Sequence, residues 1–375
     1  MTTSLPPLLG ADPDLRAPWR AQPAPIARPS HAATLASQLT VLVPAYNEEA
    51  SIGDTVRSLL AQTVRVAEVV VIDDGSTDRT AEVARALGVR VVRPPSNTGS
   101  KAGAQNFALA HVRTAFTMAI DADTALAPDA IERLLAAFAD PRVVAACGFV
   151  IPRHVRTIWE RGRYIEYLFA FTFYKQVQDY YGKPFIASGC FSAYRTDVLR
   201  AHGGWGTRTL AEDMDLTWSF YESGLGVRFV PEAVCYPIEP HSYAFMRKQL
   251  KRWSHGFVQN VSLHWRGLLR VPYLRSAVAV AVWDATLASA VYLLLLPLLA
   301  VLLREPRFLL GYVLDVPALL VPVLAGAIPR REAGRALASM PAFLVLRAVN
   351  AVFFVRAAWC EWVLRRPFRT YEKGH

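Results

Sequence analysis

From Leu39 onward the chain alternates two kinds of pattern. Short runs such as "LTVLVPAY", "AEVVVIDD", "VRVVRP", "AFTMAIDAD" and "VVAACGFV" are apolar through most of their length. Runs of this kind suit strands buried on both faces of a parallel sheet. Between them lie "EEASIGDTVRSLLAQ", "STDRTAEVARALG", "SKAGAQNFALAHV" and "PDAIERLLAAFA", whose apolar residues recur at helical spacing. Ser76, Thr77 or Asp78 is the expected N-cap of the second helix and Gly88 its terminator, and Pro128 takes the first position of the fourth. The alternation predicts βαβ units, an α/β domain with a mostly parallel sheet over residues 39–241. Ligands of such sheets bind beyond the carboxyl ends of the strands. Polar and acidic residues gather at that end of three runs, in "PAYNEE", "DDGS" and "DAD".

After Ser276 the pattern changes. "AVAVAVWDATLASAVYLLLLPLLAVLL" is long enough to cross a bilayer core of about 30 Å. "FLLGYVLDVPALLVPVLAGAI" is a second candidate, interrupted by Asp315 and two prolines. "ASMPAFLVLRAVNAVFFVRAAWCEWVL" is a third; it carries Arg347 and Arg356, so an interfacial helix competes with a span. Residues 277–364 therefore hold two or three membrane helices. The basic segments "PRREAGR" and "RRPFR" both belong on the cytoplasmic side. Three crossings cannot put the α/β half and both segments on one side, so the number of spans stays open. Residues 242–276 carry Arg247, Lys248, Lys251, Arg252, Arg266, Arg270 and Arg275 with no acid, and predict a basic region lying along an anionic leaflet. Residues 365–375 form a basic tail, and the Pro- and Ala-rich residues 1–38 a disordered one.

Composition narrows the partners. The 375 residues carry a formal charge of +10, which favours an anionic partner such as a nucleotide or a lipid surface. No nucleic-acid motif is present, so no nucleic acid is expected. The four cysteines, Cys147, Cys190, Cys235 and Cys360, are scattered and form no CxxC pair, which argues against a metal knuckle or a disulfide framework.

The acidic clusters carry the candidate chemistry. Asp121 and Asp123 stand two apart at a strand end, which turns both carboxylates the same way. Converging carboxylates call for a hard divalent cation, Mg²⁺ or Mn²⁺. Asp74, in the preceding strand-to-helix turn, suits base or ribose donors of a nucleotide. Lys101 opens a helix where the dipole is already positive, which suits a diphosphate. In "AEDMD" at a helix start, Asp213 is a candidate base, with Glu212 and Asp215 beside it to orient it or take backbone donors. In "QLKRW", Gln249 and Arg252 share a helical face and Trp253 lies one turn beyond Gln249. Arginine offers a fork for phosphate oxygens, and the indole a platform for a sugar.

These motifs in this order, from about Thr40 to about Asn260, resemble those of family 2 glycosyltransferases. "VPAYNEE", "DDGSTD", "DAD", "ED" and "QLKRW" are similar to the family's successive motifs. The QxxRW element resembles that of membrane-embedded synthases of poly-N-acetylglucosamine, hyaluronan, cellulose and chitin, and of ceramide glucosyltransferases. The resemblance implies a GT-A, Rossmann-like catalytic domain, a nucleotide-sugar donor (commonly a UDP-sugar) and inversion at the anomeric carbon. It implies that Pro44, Tyr46, Glu48 and Asp74 hold the nucleotide and Lys101 lies near the diphosphate. Asp121 and Asp123 would serve metal and diphosphate, and Ser188, Gly189 and Cys190 the acceptor end. Asp213 would be the base with Glu212 beside it, and Gln249, Arg252 and Trp253 would close over diphosphate and acceptor. The acidic motif reads "AED" where the synthases usually have "TED", so a hydroxyl is absent beside the base.

The resulting expectation is an integral membrane, metal-dependent, inverting glycosyltransferase whose catalytic domain faces the cytoplasm. Its acceptor is a hydroxyl of a polysaccharide or a glycolipid, and membrane lipids are its surroundings. The few spans make transfer of one or a few sugars to a lipid a rival of polymer synthesis. A polyprenyl-phosphate sugar transferase and a non-catalytic nucleotide-sugar-binding scaffold are the alternatives. A dehydrogenase is disfavoured, because the first strand-to-helix turn lacks GxGxxG.

Overall fold

The computed structural model describes residues 29–369. Eight strands form one sheet: β1 (Leu39–Ala45), β2 (Glu68–Asp73), β3 (Arg90–Val92), β4 (Phe116–Ile120), β5 (Thr124–Leu126), β6 (Val143–Val150), β7 (Phe191–Arg195) and β8 (Gly226–Pro237). The order across the sheet is β3-β2-β1-β4-β7-β6-β8-β5. The half from β3 to β4 is parallel throughout. β7 enters antiparallel to both β4 and β6, and β6 and β8 are again parallel. The apolar runs become β1, β2, β4 and β6, and nearly all their residues are buried. Being covered on both faces is what selects such uninterrupted Val, Ile and Ala.

Helices cover the sheet: α1 (Pro29–Ala36), α2 (Ile52–Leu60), α3 (Thr80–Ala86), α4 (Lys101–Leu109), α5 (Ala130–Leu135), α6 (Ile158–Phe169), α7 (Lys175–Tyr180), α8 (Thr196–Ala201), α9 (Glu212–Glu222) and α10 (Tyr243–Leu263). A π-helical turn, Ala170–Tyr174, joins α6 to α7. Part of the expected disordered tail is therefore ordered: α1 buries Ala32 and Ala36. Residues 1–28 and 370–375 of the two expected tails lie outside the described residues.

Two helix starts differ from expectation. The N-cap of α3 is Arg79, although the Asp78 carboxylate still takes the Thr80 N–H at 3.0 Å and so caps from one residue earlier. Pro128 does not open α5, which begins at Ala130; its carbonyl instead accepts the Thr63 N–H. Gly88 ends α3 at φ +78°, the left-handed conformation expected of a terminator.

Three C-terminal helices are long and apolar enough to cross a membrane: Pro272–Leu302, Pro306–Ala327 and Ala333–Val363. The charged residues that interrupt their sequences meet one another. Arg347 of the third helix lies 3.4 Å from Asp284 of the first and 3.2 Å from Asp315 of the second. Charges inside apolar segments are tolerated when they pair in this way.

Candidate active site

The carboxyl ends of β1, β2 and β4, the start of α9 and one face of α10 enclose a cavity of about 1270 Å³. Every residue singled out from the sequence as a site residue lines it, from Pro44 of β1 to Trp253 of α10. The exception is Asp215, weighed as a partner of the base. It points away and is held by Arg208 at 2.7 Å and His264 at 2.8 Å. Its place two residues after Asp213 puts it on another face of the helix.

At one end of the cavity two turns are stitched together. Asn47, at φ +53°, receives the Thr77 N–H on its side-chain oxygen at 2.8 Å, and its own N–H reaches Ser76 Oγ at 3.0 Å. Glu48 is buried, with its N–H on Thr80 Oγ1 at 2.7 Å. Tyr46 is exposed at the rim. Asp74 accepts the Thr98 N–H and hydroxyl, each at 2.8 Å, and so fixes the loop before α4. Each of its oxygens keeps a second acceptor site for a ligand.

At the centre, Lys101 does more than open a helix. Its ammonium is largely buried, pairs with Asp121, donates to the Gly189 carbonyl at 2.9 Å and lies 3.9 Å from Glu212. Asp213 accepts the Gly189 N–H on Oδ2 at 2.8 Å and the Met214 N–H on Oδ1 at 2.9 Å. Gly189 is required by closeness: a Cβ there would lie 3.0 Å from both Asp213 Oδ2 and Lys101 Nζ. Burial and the neighbouring Asp213 charge push the Glu212 carboxyl above its usual range, and the Lys101 and Arg252 charges oppose them.

Asp121 and Asp123 do not converge by strand alternation. β4 ends at Ile120, and the two acids occupy the turn before β5, closed by the Thr124 N–H on the Asp121 carbonyl at 3.1 Å. They reach one cavity through the turn instead. Among the described residues no group of three or more His, Cys, Asp or Glu forms a metal cage. Two carboxylates beside an open cavity fit a hard divalent ion that takes its remaining ligands from water and phosphate oxygens. The Lys101 ammonium on Asp121 marks the same preference for positive charge.

The α10 end holds residues the sequence did not reveal. Gln249 accepts from Arg163 of α6 at 2.7 Å and donates to Glu239 at 3.4 Å. Glu239 is 4 % exposed, takes the Tyr167 hydroxyl at 2.7 Å and lies 3.5 Å from Arg163 Nε. Burial pushes its carboxyl up, against the pull of Arg163 and of the Tyr167 and Gln249 hydrogen bonds. Trp253 stacks over the Arg163 guanidinium at 4.6 Å. "QLKRW" thus rests on a buried Arg–Glu pair contributed by segments far apart in sequence. No motif in the sequence marks either member of that pair.

α10 is also pinned to the loop that carries Asp213. Asn260 Nδ2 donates to the Ala211 carbonyl at 3.1 Å, and Gln259 accepts the Leu210 N–H at 3.1 Å. A Cβ on Gly256 would lie 2.8 Å from Ala211 Cβ. The alanine of "AED" packs on that glycine, which accounts for a small apolar residue there. Ser188 Oγ receives Lys175 Nζ at 2.7 Å, and Cys190 is a half-buried free thiol.

Residues 40–203 match the family model described as glycosyl transferase family 2. Poly-beta-1,6-N-acetyl-D-glucosamine synthase of Staphylococcus aureus strain COL is 29 % identical over 223 residues, 58 % of this chain and 54 % of that protein. The synthase of the same name from Staphylococcus epidermidis is 28 % identical over the same shares. The chain spans about half the length of these relatives. Among solved structures, a mannosyltransferase from Pyrobaculum calidifontis in complex with GDP-Man and Mn²⁺ superposes with a TM-score of 0.59 at 20 % identity. That likeness covers 94 % of this chain and 92 % of that one, and it shows a shared fold. The GT-A architecture expected from the motifs is the architecture present, with apolar helices after it.

Proposed function

We propose that the protein is a membrane-anchored, inverting glycosyltransferase that moves a sugar from a nucleotide-sugar to an acceptor hydroxyl. One observation carries the reading. Asp121, Lys101, Gly189, Glu212 and Asp213 form one contiguous constellation, although they come from four separate segments. A structural core has no use for three neighbouring acids at a cavity wall.

In this reading the acceptor oxygen attacks the anomeric carbon while Asp213 takes its proton. The bond from that carbon to the diphosphate oxygen breaks, and the diphosphate leaves with the electron pair on the opposite face. Arg252 and Lys101 receive the developing negative charge. The two backbone N–H groups on Asp213 hold its carboxylate in one orientation, as a positioned base requires. Pro44, Tyr46, Glu48 and Asp74 line the nucleotide end, and Ser188, Gly189, Cys190 and Trp253 the acceptor end. A Mg²⁺ or Mn²⁺ held by Asp121 and Asp123 would neutralise the donor diphosphate.

Carboxylates outnumber cations around the cavity, which favours a neutral hydroxyl acceptor over a phosphate acceptor. The staphylococcal relatives are named as polysaccharide synthases, and the archaeal neighbour binds GDP-Man. The donor screen therefore includes UDP- and GDP-sugars. Membranes containing the full chain are incubated with each radiolabelled donor and Mn²⁺, and the products are sized and extracted into organic solvent. Label in a macromolecule indicates a polymer and label in the organic phase a glycolipid. If no donor leaves label in any product, the reading fails.

A further inference from the structure

The third apolar helix has the length and composition of a span, yet it touches the catalytic domain along its whole course. Just before it starts, Arg330 stacks on Phe149 of β6 at 4.3 Å and Glu332 accepts the Tyr164 hydroxyl at 2.8 Å. At its middle, Leu346 packs with Met246 and Leu250 of α10, and Asn350 donates to Glu166 of α6 at 3.0 Å. Toward its end, Phe354 meets Phe257 with ring centroids 5.2 Å apart. At its end, Glu361 lies 2.6 Å from His255, and Trp362 donates to Ser262 Oγ at 2.8 Å. Partners on α10 advance from Met246 to Ser262 as those on the third helix advance from Leu346 to Trp362. The two helices therefore run side by side in the same direction.

α10 cannot lie in hydrocarbon, since it carries Arg247, Lys248, Lys251 and Arg252 and lines the catalytic cavity. A helix crossing the membrane would leave such a neighbour after a turn or two. At 1.5 Å per residue the 31 residues of the third helix extend about 46 Å, and both ends return to the domain. Its other face is apolar and open: Leu344, Val352, Val355 and Trp359 are exposed, with Arg356 among them. The first two helices behave differently. Beyond Asp284 they meet each other, as at Tyr292–Tyr312 and at Leu296 against Gly311, until Gly326 returns to Thr172. From Asp284 to Leu302 is about 28 Å of helix, one hydrocarbon thickness.

We propose that only the first two helices cross the membrane, as a hairpin, and that the third lies in the interface on the catalytic side, its open face resting on the lipid. This arrangement puts Arg330, Arg331 and Arg335 on the same side as Arg365, Arg366 and Arg369, which satisfies the charge bias that three crossings violate. Among the described residues the tip, with Arg304, Glu305 and Arg307, is the only part on the far side. Trp359 and Trp362 sit where an interfacial helix places its indoles.

Two measurements on the full chain test this, and neither needs turnover, so they stand apart from the transferase reading. Arg307→Cys and Arg369→Cys are made in a background with Cys190→Ser and Cys360→Ser. Intact cells are treated with a membrane-impermeant maleimide. Arg307→Cys should react in intact cells and Arg369→Cys only after the cells are opened. Reaction of Arg369→Cys in intact cells, or protection of both, overturns the proposal. In vesicles, a nitroxide on Val352→Cys should lie about 5–10 Å below the headgroups. A position near the bilayer midplane, about 15 Å down, would mean that the helix crosses and overturns it as well.

Discussion

Asp213→Asn isolates the proton-accepting role of the carboxylate while keeping its size. Two backbone N–H groups point at the native side chain, from Gly189 at 2.8 Å and Met214 at 2.9 Å. An asparagine offers one oxygen and one NH₂, so it satisfies one donor and turns its own N–H toward the other. The loss is one hydrogen bond to a charged group, about 1.5–3 kcal/mol. That is a fraction of the roughly 5–15 kcal/mol stability of a folded domain, so the variant should fold and bind nucleotide. Catalysis should suffer far more. A positioned base contributes about 10²–10⁴-fold, which at about 1.4 kcal/mol per decade is roughly 3–5 kcal/mol of barrier. Label transfer from the donor found in the screen gives the rate, and calorimetric titration with UDP or GDP in Mn²⁺ gives the binding. Transfer should fall at least a hundred-fold with the nucleotide Kd within about three-fold of the parent. Transfer within ten-fold of the parent would remove Asp213 from the role of base.

Four other perturbations read other parts of the structure. Glu239→Gln keeps the shape but removes the charge that offsets Arg163; transfer should fall about ten-fold with nucleotide binding unchanged, and an equal loss of both would mean that Glu239 only supports the fold. Gly256→Ala brings a methyl to 2.8 Å from Ala211 Cβ, an overpacking worth about 1–3 kcal/mol, and should lower the Tm in detergent. Arg347→Met leaves Asp284 and Asp315 without their cation and should lower the Tm, with Asp284→Asn in the same chain restoring part of it. The fourth concerns pH. Burial disfavours charge on both His264 and Asp215, yet the hydrogen bonds between them, with Glu222 and Arg208, outweigh it; the His264 value is raised above 6.5 and that of Asp215 lowered below 3.8. A raised histidine stabilises fully below 6.5 and loses that contribution as pH rises through its folded value. A lowered aspartate stabilises fully above 3.8 and loses it as pH falls through its folded value. The Tm deficit of His264→Asn should therefore be greatest between about pH 4 and 6.5 and shrink at higher pH; a deficit that grows with pH would show that His264 is neutral in the folded protein.

The parallel half of the sheet was legible because burial on both faces leaves an unbroken apolar signature in β1, β2, β4 and β6. The antiparallel entry of β7 was not, since "FSAYR" is short and its direction is decided by where the chain returns after α6 and α7. The acids were legible as a set, because local motifs end on strand termini. How Asp121 and Asp123 meet was misread, because the strand ends one residue earlier than the alternation needs. Asp215 looked equivalent to Glu212 in sequence, and only helix phase separates them. The Arg163–Glu239 support of Gln249 and Trp253 joins residues 76 positions apart in the chain (239 − 163). No local pattern encodes such a pair. Asp284, Asp315 and Arg347 each read as a flaw in an apolar segment until their convergence was seen.

That convergence bears on how the chain enters the bilayer. Ribosomes deliver Asp284 and Asp315 well before Arg347. For that interval the two acids lack the counter-ion that the folded chain gives them. Arrival of the arginine then recruits both at once, so one cluster ties the third helix to the first two.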